Sequence, residues 1–264
     1  MVVPRSPTNT WNMWHLGHID DLFQRLIENF VVARGVSPDR VYLMGYSAGG
    51  DGVYQLAPRM ADRFAAASMM AGHPNNANPL GLRNLPFMIF MGGTDSAYGR
   101  NRVAAHWGER LRDLRREDAT GYDHKVTIYE GLGHWMNGKD QEALPWMAER
   151  NRNPWPRKIV WHQSGRTHER FYWLAVPEGT ARGGATVRAE VKGQTIEVDP
   201  GGVKQLVLRM NDKLLDLDQP VVVMVKGEEK FRGMVERNVK TIWRSLRERA
   251  DVSSVATGLV ELEL

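Results

Sequence analysis

Apolar residues recur along this chain in two different rhythms. Through residues 1–153, short apolar runs at 41–44, 64–70, 87–91 and 126–129 alternate with segments whose apolar positions return every three or four residues. Leu22, Phe23, Leu26, Ile27 and Phe30 share one helical face, with Asp20 as a candidate cap and Gly35 as a candidate stop. A second, arginine-rich amphipathic segment spans 102–116. Strands alternating with helices predict β-α units joined into a parallel sheet.

The rhythm changes at "NRNPWPRK" (151–158), where two prolines interrupt it. Beyond it the pattern predicts short strands at 159–163, 170–176, 187–191, 195–198, 204–209 and 221–225. Val187, Ala189 and Val191 alternate with Arg188, Glu190 and Lys192, the period of a half-buried strand, and Lys192-Gly193-Gln194 reads as a hairpin turn. One helix follows, with Val239, Ile242, Trp243 and Leu246 on one face, and then a last strand near 255–264. The fold class predicted is therefore α/β over residues 1–153, a parallel sheet flanked by helices, plus a β-sandwich-like domain with one helix over 154–264. No fixed-period repeat is visible.

A chain of 264 residues is long enough for a large core and for one domain or two. The absence of cysteine excludes disulfides, thiolate metal sites and a cysteine nucleophile, while leaving the compartment open. A net charge of +4, with no basic run interleaved with aromatics, predicts no nucleic-acid partner. No apolar run reaches the roughly 18 residues of a membrane span, so no membrane partner is expected either. The first twenty residues carry no signal-peptide core.

The chemistry concentrates in "VYLMGYSAGGDG" (41–52), where an apolar strand runs through Gly-Tyr-Ser-Ala-Gly-Gly into a helical segment. A serine hydroxyl is a weak nucleophile near neutral pH. It needs a histidine to take its proton and a carboxylate to hold that histidine. Alone, Gly-x-Ser-x-Gly is a weak signal. Two further loops strengthen it: "GGTDS" places Asp95 just past the run at 87–91, and "GLGHWM" places His134 just past that at 126–129. In a parallel sheet, loops that follow strands gather on one edge, where open α/β sheets bind ligands. The chain order is Ser47, Asp95, His134.

Together, "GYSAGGDGVYQLAPRMADRFAAA", "MGGTDSAYGR" and "GLGHW" resemble the esterase and dienelactone-hydrolase-like branch of the α/β-hydrolase superfamily, over residues 1 to about 150. The resemblance implies Ser47 as nucleophile, His134 as general base and then acid, and Asp95 as the orienting carboxylate. It also implies the Ala48 backbone N–H as one oxyanion donor. It calls for no cofactor or metal, and for a small-molecule ester as substrate. Tyr46, His73 and Trp135 are candidates for the pocket wall, each with a packing role as the alternative. Asp140 is a weaker candidate for the acid. His15 and His18, three residues apart, lack the partners of a metal site.

The resemblance breaks down at the N-terminus. An α/β-hydrolase normally carries several strands before the elbow strand, and the loop after the third supplies the second oxyanion donor. Here about forty residues precede Val41, with one candidate strand in "MVVP" and no His-Gly-Gly-like loop. The elbow strand should therefore show an open edge. An upstream segment, a second copy forming a homodimer, or the C-terminal domain would each cover it, and the first is the expectation. Two other functions stay open. One is a non-catalytic binding or assembly module descended from a hydrolase. The other is a serine peptidase of the prolyl-oligopeptidase type, whose hydrolase domain usually ends the chain, as it does not here. In "FYWLAV" and its surroundings, Trp161, Tyr172 and Trp173 suit a core better than a polymer-binding surface. The Asp216 and Asp218 pair suits a turn better than calcium.

Overall fold

The structure, a computed structural model, describes residues 1–5 and 8–264. The chain divides into two compact units, one of residues 1–25 and 40–151, the other of residues 26–39 and 152–264.

A 3-10 turn at Met13–His15 leads into helix α1 (His18–Arg34), which belongs to the first unit up to Arg25 and to the second from Leu26. The helix ends where Gly35 adopts a left-handed φ of 63°. Asp20 does not cap it. The residue sits inside the first turn, buried, with its carboxylate paired to the equally buried Arg59. Strand β1 (Tyr42–Tyr46), helix α2 (Ala48–Arg59), strand β2 (Ala66–Met70), strand β3 (Phe87–Gly92), helix α3 (Arg100–Glu117), strand β4 (His124–Tyr129) and helix α4 (Ala143–Ala148) follow. The four strands form one parallel sheet in the order β1-β2-β3-β4. β2 and β3 are buried along their whole length, which explains why they read as unbroken apolar runs instead of alternating ones.

β1 is an end strand. The Ala65 N–H donates to the Val41 carbonyl at 2.7 Å, and the Ser47 N–H donates to the Met70 carbonyl at 2.9 Å. Odd-numbered residues thus bond to β2, while Tyr42, Met44 and Tyr46 turn their backbone groups to the open side. An apolar groove of about 740 Å³ runs along this side, walled by residues such as Trp14, Phe23, Leu56 and Met147. The strand expected at residues 1–4 is not formed. These residues line the groove without pairing, and Pro4 has no N–H to give a ladder.

The second unit holds two sheets. One has the order β12-β11-β9-β8-β5, built from β5 (Lys158–His162), β8 (Thr186–Lys192), β9 (Thr195–Asp199), β11 (Val221–Val225) and β12 (Glu228–Gly233). The other, in the order β13-β10-β7-β6, holds β6 (Arg170–Phe171), β7 (Leu174–Ala175), β10 (Gln205–Met210) and β13 (Gly258–Glu263). Most pairs are antiparallel, the exception being β9 with β11. Trp161 of β5 stacks on Phe171 of β6 at 6.1 Å, and Trp161, Tyr172 and Trp173 are all buried, so these aromatics serve the core.

Three details depart from the sequence pattern. The expected strand at 170–176 folds back on itself at Tyr172, whose φ is 53°. β12, "EEKFRG", lacks an apolar run because it is an edge strand that carries charge outward. Helix α5 (Val239–Arg249) buries Ser245 and Arg249, while Val239, Trp243 and Leu246 are exposed and Ile242 is half-buried between the two faces.

Candidate active site

Ser47 lies between the last residue of β1 and the first of α2, with φ 56° and ψ −119°. A side chain rarely adopts this conformation, and the surrounding bonds hold it there. The Ser47 N–H is tied to Met70, and its carbonyl accepts from the Asp51 N–H at 3.0 Å. Glycine is required on either side of the turn. A Cβ at Gly45 would lie 2.2 Å from the Gly49 carbonyl oxygen. One at Gly72, after β2, would lie 2.4 Å from the Gly50 carbonyl carbon. Strand and helix are thereby drawn together beneath the serine.

The loops after β3 and β4 are joined by backbone bonds. The Thr94 N–H donates to the Leu132 carbonyl and the Gly93 N–H to the Tyr129 carbonyl, each at 2.9 Å. This joint brings Asp95 and His134 together. His134 Nδ1 lies 2.6 Å from Asp95 Oδ2, and His134 Nε2 lies 3.0 Å from Ser47 Oγ. With its proton on Nδ1, the imidazole donates to the carboxylate and Nε2 accepts the serine O–H. The Asp95 side chain is only 3% exposed and that of His134 40%, so the carboxylate is shielded while the imidazole stays accessible.

Ala48 opens α2, and the first N–H groups of a helix have no partner within it. Ala48 lines a cleft of about 290 Å³ together with Thr8, Asn9, Thr10, Trp11, Met13 and Trp14. The Tyr46 hydroxyl donates to the His134 carbonyl, and its ring meets the His134 and Trp135 rings edge-on at 5.6 and 5.5 Å. Burial foremost, then the charges of Asp140 and Asp95, push the Tyr46 hydroxyl up to about 12, so it stays a donor. Tyr46 therefore braces the histidine loop. Trp135 is exposed beside it.

His73 is engaged elsewhere. Its N–H donates to Asp51 Oδ1 at 2.6 Å, and its Nδ1 accepts from the Asn75 N–H at 3.0 Å. Asp140 has no hydrogen bond to His134 among the described residues, where Asp95 takes Nδ1. Burial lowers the His15 imidazole, with opposing help from Asp51. No group of three or more His, Asp or Glu among the described residues is arranged to hold a metal.

Two features escaped the sequence reading. Arg100, at the start of α3, sets Nη1 3.6 Å from Asp95 Oδ1, with its guanidinium 4.9 Å from the Tyr98 ring centroid. No short-range pattern marks it, because its link to Asp95 depends on the turn between them. The residues beside Ala48 likewise form no recognisable motif.

Residues 8–164, more than half of the chain, match the dienelactone hydrolase family, and the chain belongs to that family. It has the α/β fold class, with its four-stranded parallel sheet flanked by helices and further, largely antiparallel sheets. No curated protein matches it. Among solved structures it is similar to a thermostable esterase, with 20% identity, 55% of this chain and 42% of that chain covered, and a TM-score of 0.46. It is also similar to esterase PE8, with 15% identity, coverage of 53% and 66%, and a TM-score of 0.39. A carboxylesterase from Mesorhizobium loti follows, with 19% identity, coverage of 49% and 59%, and a TM-score of 0.37. The chain thus spans 42% to 66% of the length of these structures. The family assignment rests on the sequence match.

Proposed function

We propose that the protein is a serine hydrolase that cleaves carboxylic esters of small molecules through an acyl-enzyme. The observation that carries this reading is the relay from Ser47 through His134 to Asp95, with contacts of 3.0 and 2.6 Å. His134 takes the Ser47 proton as the hydroxyl attacks the ester carbonyl. The same proton then goes to the departing alcohol, and water repeats the sequence to release the acid. Asp95 stabilises the imidazolium that forms in both steps.

In this reading the tetrahedral oxyanion sits in the cleft lined by Ala48, with the Ala48 N–H as the first donor. Loss of one such donor costs about 2.7–4 kcal/mol in other serine enzymes. In this reading the second donor comes from the polar side chains sharing that cleft, those of Thr8, Asn9 and Thr10. Tyr46 and Trp135 form the aromatic wall on the histidine side. Neither cofactor nor metal enters the reaction. In this reading residues 1–153 are the hydrolase domain and 154–264 an accessory domain, although residues 26–39 group with 152–264 in the compact units.

Hydrolysis of p-nitrophenyl acetate and butyrate by the chain, by Ser47→Ala and by His134→Ala tests the proposal. Turnover that depends on both residues, with a burst of p-nitrophenolate, is the expected result. Equal rates for all three proteins would reject it in favour of the non-catalytic module.

A further inference from the structure

Helix α5 presents its faces in reverse. Its buried residues are polar: Ser245 accepts from Arg209 Nη2 at 2.9 Å, and Arg249 donates to the Arg170 carbonyl at 3.4 Å, with Ile242 half-buried beside them. Val239, Trp243 and Leu246 lie four and three residues apart on one stripe, and they are 80%, 55% and 37% exposed. An apolar stripe built this way and left in water signals a surface made to be covered.

Charge indicates by what. Lys240, Arg244 and Arg247 border the stripe, all exposed, and none forms an ion pair among the described residues. Arg247 lies with its guanidinium 5.1 Å from the Trp243 ring centroid. The one acid of the helix, Glu248, is partly exposed but already paired with Arg170 at 3.0 Å and Arg209 at 3.2 Å. The exposed side of α5 therefore carries three uncompensated cations beside a Trp, a Val and a Leu. A second copy docked on this stripe through a two-fold axis would set these cations against their equals.

We infer that α5 is an interfacial helix that seats the protein on an anionic lipid bilayer. Trp243, Val239 and Leu246 enter the headgroup boundary, and Lys240, Arg244 and Arg247 meet lipid phosphates. The expectation of no membrane partner came from the lack of a spanning segment, and an interfacial helix needs none. An 11-residue helix with three inserted side chains gives reversible, salt-sensitive attachment.

The test is co-sedimentation of the full chain with vesicles of phosphatidylcholine and phosphatidylglycerol (7:3), and of phosphatidylcholine alone, at low and high salt. Expected are binding to the anionic vesicles only, release by salt, and at least a tenfold loss in Trp243→Ser and in the triple variant Lys240→Gln, Arg244→Gln, Arg247→Gln. All four side chains are exposed, so circular dichroism should show both variants folded. Three results would overturn the inference: no binding to anionic vesicles, binding that both variants retain, or a dimer in solution that Trp243→Ser dissociates.

Discussion

The backbone at Ser47 should make the nucleophile a liability for stability. At φ 56° and ψ −119° a side chain is strained, a condition that costs about 1–3 kcal/mol for a non-glycine residue. Replacing Ser47 by alanine keeps the strain, and replacing it by glycine removes it. Both variants lose the hydroxyl and its bond to His134, so that term cancels between them. Glycine has the disadvantage of greater freedom in the unfolded chain, worth about 0.5–1 kcal/mol. The balance leaves Ser47→Gly more stable than Ser47→Ala by about 1 kcal/mol at mid-range, within a span of roughly 0–2.5 kcal/mol. At about 2–4 °C per kcal/mol for a chain of this size, the mid-range value is on the order of 2–5 °C in Tm. Calorimetry or urea titration of the two variants side by side provides the assay, and neither should hydrolyse esters. A more stable alanine variant would refute the strained elbow.

Three further substitutions probe the frame around the site and the second unit. Tyr46→Phe removes the hydroxyl that braces the His134 carbonyl; kcat should fall several-fold with KM little changed, and stability should drop by about 0.5–1.5 kcal/mol. Gly72→Ala forces a methyl against the backbone of Gly50 and Asp51, so denaturant titration should show a loss of about 2 kcal/mol or more together with activity, since the first turn of α2 must move. Arg152→Ala leaves the fully buried Asp251 and the neighbouring Asp39 without their shared cation and should cost about 3–5 kcal/mol, read as a fall in the urea midpoint of the second unit.

The parallel sheet was legible because its inner strands are buried on both faces, which yields the unbroken runs "AASMM" and "FMIFMG". The grouping of Ser47, Asp95 and His134 was legible for a related reason: each stands just beyond a strand end, and parallel strands deliver such loops to one edge. What the sequence concealed depends on tertiary partners. Asp20 sits where a cap would be, but buried Arg59 claims its carboxylate. Tyr172 turns a continuous apolar run into a hairpin, because a fully buried hairpin needs no polar punctuation. The stripe of α5 has the period of a core face, and periodicity does not say which face the rest of the fold will take. Arg100 reaches Asp95 through a loop that no spacing rule describes.

Fluorophosphonate labelling, followed by peptide mapping of the modified residue, tests the central claim most directly, because it reads the activated hydroxyl without depending on the choice of ester. The account predicts one adduct per chain, on Ser47, formed far more slowly in His134→Gln. An unlabelled chain, or a label on any other residue, would contradict it.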